Sequence, residues 1–439
     1  MACRVECACL VTCVEKGVRF IPQAAIAVRG DLIEWAGEQK HCPAEFMTPE
    51  YSPLDAGKEV VVPGLVNCHG HSSLNVLRGV SDAGDFPQWA RELSPHTSRL
   101  GRRELESGNV LSVLEMLASG TTCICDCTRF GTGMLAAAAR SLGMRAVVGG
   151  LCNSAAYRKD GNENFPQVLQ DMEEAQKRWK NEPLIRFHIG AHSPYNCTPE
   201  LIRRVHGVAK EKDMPFIIHA AESPAEEKTI RDRYGTSPVR WLDSLGVLTE
   251  RTVLVHCIWI DDEEIRLLAL RGCKVVHCPV SNAKLRSGAA PVRRMKDAGI
   301  TVALGTDSML SNNSLDLFGE IKTASLVDRL FSGVEPLSCE ELFAMATLDG
   351  ARTLGMEREI GSLAPGKKAD LVFLNLFHPS EYDAKRLLSD LVFYAGARHV
   401  SRVMVGGEMV FAGGRYFLAD AERLRREMLD YFKERAENA

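Results

Sequence analysis

Short apolar runs that stop at a polar residue recur along the chain. Eight such runs are bounded by turn residues and predict buried strands, at 60–67, 121–127, 145–151, 185–191, 216–219, 252–256, 273–277 and 301–305. Helical periodicity fills the intervals, as at 102–118, 165–179, 198–212 and 261–270. Eight buried strands that alternate with helices predict an α/β fold, a parallel (β/α)8 barrel of the TIM type.

The two ends of the chain show a different hydrophobic pattern from the barrel. Residues 3–58 contain short β-rich stretches such as 24–28 and 32–35, and similar β-rich stretches occur at 370–374 and 400–411. Two distant segments of this kind can pair into one small β-sandwich. We therefore expect sandwich parts at 1–58 and 366–417, the barrel at 59–365, and a charged C-terminal surface helix at 418–439.

Polar residues follow the predicted strands at the end where such barrels carry their chemistry. His69 and His71 follow the first strand, and alternate strand residues share one face, so both imidazoles can reach one ion. His219 and Asp307 end strands five and eight, and strands one and eight are neighbours in a closed barrel. The ligands that we expect for one divalent metal ion per subunit are His69, His71, His219 and Asp307. Nitrogen-rich ligation favours zinc, iron or nickel over magnesium or calcium, and we expect Zn2+, with Fe2+ as the alternative.

Three residues, one of them the expected ligand Asp307, suit proton transfer beside such an ion. The ion can lower the pKa of a water to ~7 and so supply hydroxide. Glu222 lies three residues after His219 and can protonate a ring nitrogen while the adjacent carbon is attacked. The alternative for Glu222 is a carboxylate at a helix start, since Ser223 and Pro224 follow. Asp307 can accept the water proton and pass it to the leaving group. His256, at the end of strand six, can hold the attacking water and stabilise developing charge.

Two other histidines end strands. His192 follows strand four and is suited to hydrogen bonding with a substrate, although a structural role is nearly as well supported. His277 ends strand seven, and we expect it to support its neighbours rather than to take part in chemistry.

Composition and net charge limit the classes of molecule that this protein can bind. The chain has 439 residues, 25% of them charged, and a formal net charge of -4, with no tract rich in Lys and Arg. Nucleic acid and anionic membranes are therefore excluded on electrostatic grounds. No apolar run approaches a bilayer span and the N-terminal residues do not form a signal sequence, so we expect a soluble, cytoplasmic protein that acts on a small molecule.

The 15 cysteines contain no CxxC pair, and a chain of this size does not need disulfides. Cys123, Cys125 and Cys127 alternate and would share one strand face, as a thiolate metal site requires. Buried strand cysteines usually behave as small hydrophobes, and we expect packing here.

Several motifs occur together in this chain. They are Pro-Gly-Leu-Val-Asn-Cys-His-Gly-His at 63–71, Leu-Arg-Gly at 77–79, Glu-Met-Leu-Ala-Ser-Gly-Thr-Thr at 115–122, His-Ala-Ala-Glu at 219–222, His-Cys-Pro-Val-Ser-Asn-Ala-Lys-Leu at 277–285, Leu-Gly-Thr-Asp at 304–307 with Ser-Asn-Asn at 311–313, and Gly-Lys-Lys-Ala-Asp-Leu-Val at 366–372. On these motifs the chain resembles the amidohydrolase superfamily, in particular the branch of methylthioadenosine/S-adenosylhomocysteine deaminases and s-triazine chlorohydrolases.

The resemblance implies a mononuclear metal site formed by the four expected ligands, with Glu222 and His256 as proton-handling partners. It also implies a small β-sandwich built from both termini, and a homo-oligomer, because relatives are commonly dimers or larger. Binuclear relatives need a carboxylated lysine at the end of strand four, where this chain has Ile-Gly-Ala-His at 189–192. One metal ion is therefore expected.

One stretch departs from the family pattern. Deaminases that act on methylthioadenosine typically carry a Trp-Leu phrase that leads to Pro-Glu, and that carboxylate is thought to hold the ribose hydroxyls. Here Trp89 is followed by Pro95 and His96, so His96 stands where that glutamate is expected. We expect Trp89 and His96 to stack on, or hydrogen-bond, a flat heterocycle.

Three functions fit these observations to different degrees. The first is hydrolytic deamination of an aminated aromatic heterocycle, either an adenosine-type purine derivative or a related ring. The second keeps the same site but expels chloride or an alkylamine from an s-triazine-like ring. The third, a non-catalytic metal-dependent binding protein, predicts the loss of Glu222 or of a ligand, and none is missing.

Overall fold

The computed structural model describes residues 2–82, 84–128, 131–155, 161–376 and 383–437. Their strands are β1 (Ala2–Cys13), β2 (Val18–Arg29), β3 (Leu32–Glu38), β4 (Ser52–Pro63), β5 (Leu65–Gly70), β6 (Thr121–Thr128), β7 (Arg145–Cys152), β8 (Ile185–Phe187), β9 (Ile189–Ala191), β10 (Phe216–Ala220), β11 (Thr252–His256), β12 (Lys274–His277), β13 (Thr301–Leu304), β14 (Leu371–Leu374), β15 (Val400–Val405), β16 (Glu408–Ala412) and β17 (Arg415–Tyr416).

The α-helices of the described residues are α1 (Phe86–Thr97), α2 (Arg102–Ala118), α3 (Thr132–Leu142), α4 (Phe165–Arg178), α5 (Pro199–Glu211), α6 (Pro224–Tyr234), α7 (Pro238–Ser244), α8 (Asp262–Leu270), α9 (Pro279–Lys284), α10 (Val292–Asp297), α11 (Leu317–Phe331), α12 (Cys339–Met345), α13 (Leu348–Thr353), α14 (Ala384–Phe393) and α15 (Ala421–Glu437). Short 3-10 turns lie at Gln39–His41, Ala44–Met47, Ser72–Leu77 and Ala397–His399.

Eight parallel strands form a nearly closed barrel in the order β5-β6-β7-β9-β10-β11-β12-β13. A single parallel bridge between Gly70 and Asp307 brings the first and last strands together, and the Asp307 amide donates to the carbonyl of His69 at 3.0 Å. Helices lie between successive strands, so the predicted TIM-type barrel is confirmed.

Two of the predicted helices begin at a residue whose side chain caps the helix. Thr198 accepts a hydrogen bond from the amide of Leu201 at the start of α5, and Asp261 accepts two at the start of α8. A side-chain oxygen at this position satisfies an amide that has no partner within the helix. Local capping therefore defines these boundaries.

The first predicted strand, at 60–67, is wrong as a single element. It divides at Gly64: β4 ends at Pro63 and belongs to the terminal sheet, whereas β5 begins the barrel at Leu65. A Cβ atom at Gly64 would lie 2.0 Å from Oγ1 of Thr122, so only glycine fits at this crossing. Both halves are buried, which is why the apolar run continues across two domains.

Strand four differs from the single run at 185–191 as well. It is broken at His188, so that β8 pairs only with β7 while β9 connects β7 to β10. The buried His188 donates from Nε2 to the carbonyl of Asp126 at 2.7 Å. Burial lowers the pKa of His188 to about 4, so the ring is neutral at physiological pH.

Both ends of the chain contribute to one continuous eight-stranded sheet, in the order β17-β16-β15-β14-β4-β1-β2-β3. The two segments meet where β4 pairs antiparallel with β14, with Val62 opposite Val372. One face of this sheet has a core of its own that includes Val5, Ile26 and Phe373. The opposite face packs into the same core as the barrel helices.

The row of alternating cysteines faces the barrel interior. Cys123, Cys125 and Cys127 are completely buried in one cluster with Val147 and Ile217. Burial raises the pKa of the Cys123 thiol, so it stays protonated. The predicted packing role is confirmed.

In the described part of the chain, no helix has the length and apolar composition that crossing a bilayer requires.

Candidate active site and metal centre

Three histidines converge at the carboxyl ends of the barrel strands. His69 lies near the end of β5, His71 directly after it, and His219 near the end of β10. One ring nitrogen from each lies within 4.8 Å of the others, and the Nε2 atoms of His69 and His219 are 3.2 Å apart. Asp307 lies beside them, with Oδ1 at 3.3 Å from Nε2 of His69 and 3.4 Å from Nε2 of His71. The structure thus brings the four sequence-predicted ligands together.

Hydrogen bonds on the far side of two rings orient their inward nitrogens. Nδ1 of His71 donates to the carbonyl of Cys127 at 2.7 Å, and Nδ1 of His219 donates to the carbonyl of His192 at 2.6 Å. With the proton on Nδ1, the lone pair of Nε2 faces the other donors. Burial also lowers the pKa of His69 and of His219, which keeps both rings neutral.

This donor set fits a divalent cation. The Nε2 atoms of His69 and His219, 3.2 Å apart, are close enough to reach one ion together. Three imidazole nitrogens and one carboxylate oxygen are a combination that zinc and other first-row metals prefer. The carbonyl groups that hold the ring protons are the outer partners that usually fix such ligands.

Asp307 is held from its far side by two hydroxyl groups. Its Oδ2 accepts from Oγ of Ser281 at 2.6 Å and from Oγ of Ser311 at 3.2 Å, which leaves Oδ1 toward the histidines. The backbone of Asp307 is left-handed, with φ 57°. Non-glycine residues adopt this conformation rarely, and it is typical of functional sites.

Glu222 and His256 lie on one side of this cluster. The Glu222 side chain is buried, its Oε1 lies 3.8 Å from Nε2 of His256, and burial raises its pKa. His256 donates from Nδ1 to Oδ1 of Asn282 at 2.9 Å, so its Nε2 is an acceptor toward the cavity. A buried acid and an oriented imidazole thus face one another beside the expected metal ligands.

A cavity of about 350 Å³ opens above these residues. The metal-site residues form one end, and α1 with neighbouring loops forms an apolar wall that contains Leu74, Phe86, Trp89, Leu93, Leu285 and Leu310. The indole of Trp89 donates to the carbonyl of Leu310 at 3.1 Å, and its ring lies beside that of Phe86 with the centroids 5.8 Å apart, so the two rings form the aromatic part of this wall.

His192 also lines the cavity, beside Tyr195 and Asn196. The Asn196 amide donates to Nδ1 of His192 at 2.7 Å, while Oγ of Ser193 donates to Oδ1 of the same amide at 2.8 Å. This places the ring proton of His192 on Nε2. The side chain is therefore arranged as a hydrogen-bond donor.

The structure does not bring His96 to the site. Its side chain is exposed and does not line the cavity, so the expected contact with a flat ring is corrected. The next residue, Thr97, does line the cavity, and successive helix residues point about 100° apart. His277 lies outside the cavity lining as well, and burial lowers its pKa to about 3.

Sequence reasoning missed the residues that hold the chemical groups in place. Ser281 and Asn282 stand in the quoted motif at 277–285, and their placement on α9, after the strand end at His277, is the signal that identifies them. Asp126 accepts the amide of Ser72, the residue after His71, at 2.6 Å, and nothing in its local sequence marks it.

Comparison with known proteins identifies relatives of the whole chain. The family described as "Amidohydrolase family" matches residues 60–410. The 5-methylthioadenosine/S-adenosylhomocysteine deaminase of Syntrophobacter fumaroxidans is 35% identical over 411 residues, which cover 93% of this chain and 92% of that protein.

Solved structures share the fold. An adenosine deaminase from Xanthomonas campestris with bound zinc has a TM-score of 0.90 and 29% identity, covering 99% of this chain and 98% of that one. An atrazine chlorohydrolase from Arthrobacter aurescens, complexed with zinc, has a TM-score of 0.87 and 24% identity, covering 97% of this chain and 99% of that one. At the latter identity the likeness concerns the fold alone.

Proposed function

The chain belongs to the amidohydrolase family, and from this premise we propose that it is a metal-dependent hydrolytic deaminase of an aminated aromatic heterocycle, an adenosine-type purine derivative or a related ring. The observation that carries the proposal is the convergence of three histidines, one aspartate and a buried glutamate on one cavity. The deaminase relatives support the same reaction class.

The residues that would hold the ion are His69, His71, His219 and Asp307. We propose Zn2+, with Fe2+ as the alternative, since zinc is bound in the structure of the similar adenosine deaminase. Bound there, zinc would lower the pKa of a water molecule to ~7.

The side chains around this position divide the remaining chemistry. In the overall reaction, the oxygen of water replaces the amino group on a ring carbon. The products are a hydroxylated or oxo ring and ammonia. Glu222, whose raised pKa keeps its proton available, protonates the ring nitrogen next to the attacked carbon. Asp307 takes up one water proton and delivers it to the departing amino group, which leaves as ammonia. Glu222 recovers its proton from the hydroxyl group of the intermediate as the oxo ring forms. His256, oriented by Asn282, accepts a hydrogen bond at Nε2 from the attacking water and so holds this water in place.

The cavity wall indicates how a substrate would be held. A flat heterocycle between the metal-site residues and Trp89 would stack on the indole face, because the indole N–H is already bonded to Leu310. His192 would donate from Nε2 to a ring or substituent acceptor.

We also propose that the protein is a homo-oligomer, and sedimentation velocity tests this proposal.

A second candidate keeps the site and changes the leaving group to chloride or an alkylamine on an s-triazine-like ring. What favours it is the α1 wall, whose described cavity-lining residues include no acidic side chain that would bind ribose hydroxyls. The experiment that separates the two incubates zinc-loaded protein with methylthioadenosine, adenosine, guanine, an aminotriazine and a chlorotriazine. Ammonia release from an aminopurine supports the first function, and chloride release alone supports the second.

A further inference from the structure

A second buried glutamate lies directly behind Glu222. The Glu226 side chain, in a residue only 2% exposed, accepts two successive backbone amides: Oε1 from Ala221 at 3.1 Å and Oε2 from Glu222 at 2.9 Å. Burial raises the pKa of Glu226 to about 8, whereas these two amide hydrogen bonds act against burial and favour the charged form. The backbone segment that carries the proposed acid is therefore held at two successive amides by one side chain.

This peptide has a conformation that needs support. Ala221 is left-handed, with φ 53°, which alanine adopts at a cost that glycine does not have. The turn carries the chain from the end of β10 into α6 and directs the Glu222 side chain into the cavity. Without a partner for the amides of residues 221 and 222, an extended backbone would rotate Glu222 away.

The same turn is joined to the neighbouring strand. The carbonyl of Ala221 accepts the amides of Ile258 and Trp259, both at 2.9 Å, just after His256. Ser223 accepts the amide of Glu226 at 3.3 Å and so places Glu226 in the first turn of α6. One carboxylate thus maintains the distance between Glu222 and His256 without touching either side chain's reactive atoms.

We propose that Glu226 is a positioning residue for the reaction: its carboxylate holds the left-handed turn at Ala221 and thereby aims Glu222 at the substrate. This inference rests on the proposed function, because the role of Glu222 as the acid belongs to that proposal. It predicts a requirement at 226 for a side chain with two acceptor oxygens, and this requirement is separate from folding and from metal binding.

The test compares Glu226→Gln with a matched control, Glu227→Gln. Glutamine has the same shape but offers one acceptor, and its NH2 group would face the second backbone amide. Glu227 is the next residue on α6, is partly buried and pairs with Arg231. We expect Glu226→Gln to retain its zinc and KM while kcat falls by roughly 10- to 100-fold, since small misplacements of reacting groups have effects of this size. Glu227→Gln keeps the kcat of the unmodified protein.

A kcat of Glu226→Gln equal to that of the unmodified protein, per zinc-loaded subunit, would overturn the proposal, even if the variant melted at a lower temperature. If Glu226→Gln does not fold, Glu226→Asp takes its place, since it keeps both carboxylate oxygens but shortens the reach, and a lowered kcat at constant zinc content is again required. Crystal structures separate this inference from the proposed function. Should the unmodified protein deaminate nothing, an unchanged Ala221–Glu222 turn in the variant would refute positioning, and a rotated turn would support it.

Discussion

Replacing Glu222 with glutamine tests the proposal that Glu222 is the general acid and not a metal ligand. Glutamine preserves the shape of a side chain that is buried beside the metal site, but it has no acidic proton to deliver. Glu222 is outside the group of three converging ligand nitrogens, and its Oε1 lies 3.8 Å from Nε2 of His256. The substitution should therefore leave the metal content unchanged and affect the chemical step.

The size of the effect follows from the role of a general acid. Proton transfer by a positioned side chain contributes about 10²- to 10⁴-fold to a rate. At about 1.36 kcal/mol for each factor of ten, the activation barrier of Glu222→Gln rises by roughly 3–5 kcal/mol. KM should change little, because the amide keeps the hydrogen-bonding shape of the acid.

The pH profile adds a second readout. Burial raises the pKa of Glu222, so the protonated acid persists to higher pH than for an exposed glutamate, and activity falls as the pH rises through the pKa of the folded protein. This alkaline decline should be absent from the residual activity of Glu222→Gln. The assay is steady-state ammonia release across pH, with zinc measured on the same samples. Full activity in the variant, or a loss of activity that merely parallels a loss of zinc, would refute the reasoning.

Three further outcomes are expected. His219→Ala should lose its zinc, as elemental analysis would detect, because it removes one of three converging nitrogens; retention of stoichiometric zinc would contradict the site. Trp89→Ala should raise KM by roughly 3- to 10-fold through lost stacking, whereas His96→Ala, which changes an exposed side chain, should not; equal effects would argue against the cavity wall. Burial raises the pKa of Glu320 from 4.5 to about 8, so its contribution to the free energy of unfolding is greatest below 4.5 and is lost as pH rises through about 8. Urea titrations of zinc-loaded protein should show a smaller alkaline loss of stability in Glu320→Gln, and identical pH slopes would contradict this.

Much of the barrel could be predicted because strand ends and chemistry coincide in this fold. The four converging ligands follow apolar runs, and the topology of a closed barrel brings such distant residues together. The division at Gly64 could not be read from hydrophobicity, since both halves of the run are buried. It depends on a close approach to Thr122, which only the folded structure reveals.

The supporting residues were harder to foresee for a physical reason. Glu226 and Asp126 accept backbone amides, and every residue except proline offers an amide, so the partner leaves no mark in the sequence. His96 was misplaced because a shift of one residue along a helix rotates a side chain by about 100°. The hydrophobic pattern did not predict α1 (Phe86–Thr97), so the phase of this helix against the cavity could not be anticipated.

The central claim is that this site releases ammonia from an aminated heterocycle. The most direct measurement incubates zinc-loaded protein with methylthioadenosine and follows ammonia and the ring product together, with Glu222→Gln as the blank. The account predicts ammonia and an inosine-type product in equal amounts from the unmodified protein and almost none from the variant. If neither methylthioadenosine nor any other aminated ring of the panel yields ammonia, although zinc is bound, the account is contradicted.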